Sequence, residues 1–379
     1  MKIRDMILIT GSAAFLCLLS LGTLLSPDVE FSENENRYLQ SAPQLTVQKV
    51  LSGDFATDAE VYLTDQIAGR EMWVTSKGML EAAMGVRDMN GVYLCDDGRL
   101  VEKITGADFD WRQYKRNLQQ ISLMTETLKT ENIPVDVMLV PTAAYVCQDT
   151  LPEHAVRFDE DKAFTQADVL LGDSLIDLRQ KMTGEDSQQM FFKTDHHWTN
   201  YGTFTGYRAY RERLAGHAAD KMTYEDTKPE ILTEDFHGTL YSKVLLPTLG
   251  TDAIQIPGAA LDAEYTVMMD GEMHGSILFR EFLEKKDKYA VYFGGNYAKV
   301  DITMENSGGS GDLLIIKDSF ANSFVPYLLD DFEYITMVDT RFYREDISLL
   351  AKEYDRVLVL YGMANMAQQR MVLMSGLTA

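Results

Sequence analysis

The sequence predicts an α/β protein: a mainly parallel sheet flanked by helices, with a smaller β-rich insertion, behind an N-terminal apolar segment. Two observations carry this prediction. The last hundred residues alternate short apolar β-branched runs with helical patterns, which is the signature of strands buried on both faces. A matching pair, an amphipathic helix followed by an apolar strand, occurs near residue 130. In chain order, Trp111–Asn132 has helical apolar spacing and leads into the strand run Val135–Val140. Thr199–Leu214 reads as a second helix, with Thr199 or Asn200 as its cap. Between 236 and 300, short β-like runs at Gly238–Leu246, Tyr265–Met269 and Tyr289–Phe293 suggest an antiparallel insertion. Then come a strand at Asp312–Ile316, a helix at Phe320–Leu329, a strand at Tyr334–Val338, a helix at Glu345–Glu353 and a strand at Val357–Tyr361.

The N-terminus divides the chain. Lys2 and Arg4 precede an uncharged stretch, Met6–Leu25, which acidic residues follow. Twenty residues in a helix rise roughly 30 Å, the thickness of a bilayer core, and the basic side stays inside. A cleaved signal peptide competes, with Ser20-Leu21-Gly22 as a small-x-small site. The full apolar length favours an uncleaved anchor. Either reading exports the rest of the chain. The expected organisation is an anchor over 1–26, a polar lead-in over 27–60 and a catalytic domain over 61–379, with the β-rich insertion at 236–300.

The 379 residues carry 58 acidic and 35 basic side chains, a net charge of −23. That balance argues against a nucleic-acid partner, whose phosphates need a surplus of Lys and Arg. It also argues against adhesion to anionic surfaces. Of the three cysteines, Cys17 lies in the apolar segment, and Cys95 and Cys147 lie outside it. Those two could form one disulfide or remain buried thiols. No cysteine–histidine spacing suggests zinc.

Three places could carry chemistry. In Lys193-Thr194-Asp195-His196-His197-Trp198, extended chain would turn the two histidines to opposite sides while Asp195 and His197 point the same way. A carboxylate beside an imidazole suits a general base, and a metal site or a plain structural loop are the alternatives. The second place is Lys317-Asp318-Ser319, where an apolar strand runs into a serine and then a helix. The carboxyl end of a parallel strand is where open α/β sheets place their sites, although a serine there can also simply cap the helix. The third is the strand ending Gly362-Met363-Ala364-Asn365, whose amide could donate to developing negative charge. Gly172-Asp173-Ser174-Leu175 is a competing serine motif, but the strand before it is short and no Gly-x-x-Asn strand precedes the Asp195 block. Ser319 is therefore preferred to Ser174.

Together these residues resemble the DHHW protein family of bacterial cell-surface proteins and the related SGNH-hydrolase-like domain of alginate O-acetyltransferases. The resemblance runs from Phe31-Ser32-Glu33-Asn34-Glu35-Asn36-Arg37 to Asn365 and is most specific at Thr194–Thr199, Gly238–Lys243 and Lys317-Asp318-Ser319. It implies an SGNH-hydrolase-like fold, with Ser319 as nucleophile, His197 as base, Asp195 as its orienter and Asn365 in the oxyanion site. Lys317 departs from the Gly of the usual Gly-Asp-Ser block. The carbohydrate-binding module found in some alginate enzymes is not expected here.

The resulting expectation is an exported O-acetyltransferase acting on a glycan of the cell envelope, using no cofactor and no metal. A membrane protein would supply the acyl group, and residues 6–25 would hold the chain in the membrane. The oxyanion would be held by the Ser319 N–H, by N–H groups near Thr340-Arg341 and by Asn365. Tyr201 and Arg341 would line the substrate cleft, and His196 and Trp198 would shape the loop. A carbohydrate esterase with the same three residues, or an idle glycan- or partner-binding surface protein, are the rival readings.

Overall fold

A computed structural model describes residues 3–214, 221–306 and 308–373. Lys2, part of the charge asymmetry above, lies outside them. The chain forms two compact units, one of Met1–Met89 with Tyr241–Leu249, the other of Asn90–Leu240 with Gly250–Ala379.

Among its described residues the first unit contains the helices α1 (Ile3–Leu25), α2 (Val47–Ser52), α3 (Asp54–Gln66) and α4 (Arg70–Ala83), together with most of the helix Thr239–Val244. The expected lead-in is thus partly helical. An ionic cluster ties this unit together: Arg70 pairs with Glu35, and Arg37 pairs with Asp65 at 2.5 Å and with Glu35 at 2.7 Å.

The second unit is built on an eight-stranded sheet. Its strands are β1 (Val135–Val140), β2 (Leu175–Asp177), β3 (Tyr265–Met269), β4 (Glu272–His274), β5 (Lys299–Met304), β6 (Asp312–Lys317), β7 (Tyr334–Asp339) and β8 (Arg356–Gly362). They lie in the order β4-β3-β5-β7-β6-β8-β1-β2. The five strands from β7 to β2 are parallel, while β5, β3 and β4 join antiparallel. Within 236–300, Tyr265–Met269 and Glu272–His274 extend the main sheet, whereas Asp252–Ile256 pairs with Glu230–Phe236 in a separate two-stranded sheet.

Alternate residues of the central strands feed two cores. Met138, Val140, Leu313, Ile315, Leu358 and Leu360 face one, and Val137, Leu139, Leu314, Ile316, Val357 and Val359 face the other. Both faces being buried is why these strands read as unbroken apolar runs. The first core is closed by α7 (Asn200–Leu214) and α8 (Ala321–Phe324), through Phe204, Tyr207, Tyr210 and Phe324. The second is closed by α5 (Trp111–Lys129) and α6 (Glu160–Leu171), through Tyr114, Leu118, Ile121 and Phe164. Asp110 and Asp159 cap α5 and α6 by accepting N–H groups of their first turns.

Two expected strands are otherwise. Gly238–Leu246 contains a helix, Thr239–Val244, and Tyr289–Phe293 contains the 3-10 turn Lys288–Val291. Short apolar runs fit either period, and in both places local hydrogen bonding prevailed. Cys95 and Cys147 are both buried free thiols, and burial pushes the Cys95 thiol up to about 12.

Candidate active site

The carboxyl edge of the parallel strands gathers four chain segments. After β6 come Asp318 and Ser319, after β8 Asn365, after β1 the Pro141–Ala144 turn, and after β7 Arg341. Lys317 is still in sheet register with Asp339 and Leu360, so the turn starts only at Asp318 and tolerates a side chain at 317. Ser319 is half-buried between the buried Asp318 and Phe320.

The Asp195 block reaches Ser319 through a bend. Its ends are joined by a bridge between Phe191 and Trp198. Within it the His197 N–H donates to Asp195 Oδ1 at 3.0 Å, closing a turn of the kind aspartate favours. The chain is therefore not extended there. Instead of pointing apart, the His196 and His197 rings lie 4.0 Å from each other. His197 Nδ1 lies 2.6 Å from Asp195 Oδ1, and His197 Nε2 lies 2.7 Å from Ser319 Oγ. These partners assign the tautomer: Nδ1 donates to the carboxylate and Nε2 accepts the serine proton.

Asp195 has two further donors, the Thr239 N–H at 2.7 Å and the Thr239 hydroxyl at 2.9 Å, both on Oδ2. Gly238 lies so flat on this carboxylate that a Cβ there would meet it at 2.3 Å. Burial raises the Asp195 pKa, but the two imidazoles and the Thr239 N–H outweigh it and hold the group well below the carboxylate range. Burial, helped by His196 and opposed by Asp195, pushes His197 down to about 4. The imidazole is thus neutral near pH 7, the form a base needs.

Several supporting residues surround the relay; of these, the sequence marks Trp198 as shaping the loop and Thr199 as a cap of α7, while Tyr289 and Asp252 carry no signal of their own. The Tyr289 ring stacks on His197 at 3.9 Å and 7°, and its hydroxyl donates to the Ser319 carbonyl at 3.3 Å. Asp252 holds the Lys193 and Thr194 N–H groups at 2.9 and 2.8 Å. The Trp198 indole donates to the Phe320 carbonyl and the Ser323 hydroxyl, joining the histidine block to the serine block. Thr199 caps α7, accepting the Gly202 N–H. Thr194, Trp198, Thr199 and Thr239 lie in stretches already marked by resemblance, whereas Tyr289 and Asp252 do not.

Asn365 donates to Asp318 Oδ2 at 2.7 Å, which leaves its second amide hydrogen. Asp318 also accepts the Gly362 N–H at 2.8 Å and the Phe320 N–H at 2.9 Å. Gly362 is required because a Cβ there would meet the Phe320 ring at 2.6 Å. Asn365, His196, Phe320, Val140 and Ala143 wall a cavity of about 40 Å³. Behind it, the fully buried Glu160 accepts the Thr142 N–H at 2.8 Å and hydroxyl at 2.6 Å, and burial pushes its pKa up to about 7.

Two expected contacts differ. Tyr201 is outside this wall: its hydroxyl donates to Asp186 at 3.1 Å, and with Arg208 it lines a separate cavity of about 340 Å³. Arg341 is close enough for its charge to act on His197, but its guanidinium grips Asp339 at 2.9 and 2.5 Å. The Arg341 N–H also donates to Asp339, at 3.0 Å, so it is not free for an oxyanion. The Ser319 N–H donates to no described residue. Ser174 sits in a 3-10 turn before the amino end of the edge strand β2, whereas Ser319 follows the carboxyl end of β6.

Asp195, His196 and His197 bring potential metal-binding atoms within 4.8 Å of one another. Their closest atoms are already joined by the hydrogen bonds above, and His196 Nδ1 is held by the Thr239 hydroxyl at 2.8 Å. The donor set fits a proton relay better than an ion.

Comparison with known proteins agrees with the fold. Residues 103–264 match the SGNH hydrolase-like domain of the acetyltransferase AlgX. This is an SGNH hydrolase-like fold. Among solved structures, Bacillus cereus PatB1 with a sulfonyl adduct is 21% identical, with a TM-score of 0.61 over 74% of this chain and 98% of that one. PatB1 in another structure gives a TM-score of 0.63. A DHHW family protein from Eubacterium siraeum is 24% identical, with a TM-score of 0.58 over 74% of this chain and 93% of that one. No curated protein sequence matches. The resemblance read from the SGNH-like and DHHW blocks therefore stands, with the mixed sheet and the apolar N-terminal helix.

Proposed function

We propose that this SGNH hydrolase-like chain is an exported, membrane-anchored O-acyltransferase that moves acetyl groups onto hydroxyls of a cell-envelope or secreted glycan. The observation that carries the reading is the unbroken relay from Ser319 Oγ through His197 to Asp195, with links of 2.7 and 2.6 Å. Ser319 attacks the carbonyl of an acyl donor while its proton passes to His197 Nε2. The leaving group departs with that proton, and an acyl-serine remains. A sugar hydroxyl then gives its proton to His197 and takes the acyl group, which restores Ser319. Asp195 orients the imidazole and stabilises its charged form. The Ser319 N–H and the second Asn365 amide hydrogen are the available donors for the oxyanion.

The anchor is α1, which has the length and apolarity of a membrane span. A membrane protein supplying the acyl group would meet the chain at that surface. The acceptor is a neutral or weakly charged glycan, because a chain of net charge −23 repels polyanions.

The test is to incubate the full chain with an activated acetyl ester, with and without a glycan acceptor. Acetylated sugar supports transfer. Release of acetate at the same rate with or without acceptor makes the chain an esterase. No turnover, together with no labelling of Ser319 by a sulfonyl fluoride, leaves an idle surface protein.

A further inference from the structure

Helix α4 carries an apolar stripe that the first unit leaves uncovered. Met72, Trp73, Met79, Leu80 and Met84 are 40–65% exposed, and their spacing of one, four and seven residues puts them on one face. The opposite face is packed: Gly78 lies against the Val244 carbonyl, where a Cβ would meet oxygen at 2.7 Å. The charged residues keep off the stripe, Lys77 pairing with Glu81 at 3.2 Å and Arg70 with Glu35.

The same helix is fastened to α1. The Ala68 N–H donates to the Thr23 hydroxyl at 3.1 Å, and the Trp73 ring meets the Phe15 ring edge-on at 6.1 Å. As the chain goes forward from 68 to 73, its partners go back from 23 to 15. The start of α4 therefore runs alongside the exported half of α1, reaching a point roughly 15 Å before Leu25. None of α1 is buried by protein. An apolar stripe continuous with an apolar span of membrane length has one solvent suited to both, the hydrocarbon of the outer leaflet.

We propose that α4 is a partly inserted helix lying along the exported half of α1, with its Met72–Met84 stripe facing the hydrocarbon of the outer leaflet, so that two elements hold the first unit to the bilayer. This rests on α1 remaining as an uncleaved anchor. The stripe has the aromatic and thioether side chains that interfaces accept, and Trp73 already satisfies its indole N–H internally, on the Ala68 carbonyl at 3.1 Å.

The experiment reconstitutes the full chain in phosphatidylcholine vesicles with brominated acyl chains, which quench tryptophan on contact. The chain has three tryptophans, so quenching of up to about one third of the emission is expected, and Trp73→Phe should abolish it. The double variant Met79→Glu/Leu80→Glu should cut the quenching at least twofold with α1 still inserted. N-terminal sequencing separates the two readings. Loss of residues 1–26 overturns both the anchor and this proposal. Retention of those residues with unquenched emission, or with quenching unchanged in Trp73→Phe, overturns this proposal alone.

Discussion

Asp195 and Asp318 are both enclosed carboxylates at the candidate site, 1% and 0% exposed, and each accepts several hydrogen bonds. Their ionisation is driven in opposite directions. Asp195 receives a backbone N–H and hydroxyl from Thr239, and it also lies beside two imidazoles that pull it well below the carboxylate range. Asp318 receives neutral donors from Phe320, Gly362 and Asn365, and burial outweighs these and the Lys317 charge, so its pKa rises. Lys317 is itself pushed down to about 8 by burial and is satisfied by Asn322 at 2.8 Å. At Asp318 the hydrogen bonds do not offset burial, whereas at Asp195 the adjacent imidazoles and hydrogen bonds together do. Asp195 is built to face an imidazolium, while Asp318 organises backbone around the serine turn.

Removing the proposed nucleophile sets the scale against which the two can be measured. Ser319→Ala should lower acyl transfer by about 10⁴-fold or more with little change in melting temperature, because the chemistry loses its covalent step. Transfer near the wild-type rate in that variant ends the assignment. Asp195→Asn should cost about 10³-fold in kcat, since an amide favours the wrong imidazole tautomer. Asp318→Asn should cost only about tenfold in rate, with a loss of about 1–3 kcal/mol in denaturant unfolding, since an amide meets donors with a donor. Equal kinetic losses in the two variants would break the comparison.

Gly238→Ala sharpens it from the backbone side. A Cβ at 2.3 Å must displace the Asp195 carboxylate, and about a 10–100-fold fall in kcat with a smaller change in KM is expected. The pH profile is a further check. With His197 held down at about 4, kcat/KM should stay level from neutrality to about pH 5 and fall as the base is protonated near pH 4. A half-maximal point near pH 7 would mean that burial does not govern this imidazole.

The smallest effect concerns stability. Glu160 is raised from 4.5 to about 7, so between those values the native state binds the extra proton and stability falls as pH rises. Glu160→Gln should flatten that decline by roughly 1–3 kcal/mol in unfolding measured from pH 4 to pH 8.

Much of the sheet was legible because burial on both faces leaves a plain mark, a run such as Leu313–Ile316 with no polar interruption. The Ser319 position followed from the same run, since a strand that stops at a serine before a helix leaves the hydroxyl at the sheet edge. Gly238–Leu246 misled, because a six-residue helix shows too few turns to reveal its period. The histidine pair misled for another reason: alternation holds only in extended chain, and the Asp195 turn bends it. Tyr289 gave no sign, lying 92 residues from the ring it stacks on. Arg341 and Asn365 lie just past the carboxyl ends of their strands, and their strongest contacts go to Asp339 and Asp318.

What residue order alone determined is the alternation of strands and helices, the apolar membrane-length helix, and the residue types capable of a proton relay. Those properties are local: each depends on side chains within a few positions of one another. Whether Ser319 meets His197, 122 residues away, was decided only when distant segments closed over a shared edge. So were the neutral donors that hold Asp318, two of them 44 and 47 residues away, and how far burial shifts each titrating group. Water exclusion and charge proximity there belong to the folded volume and to no single stretch of chain.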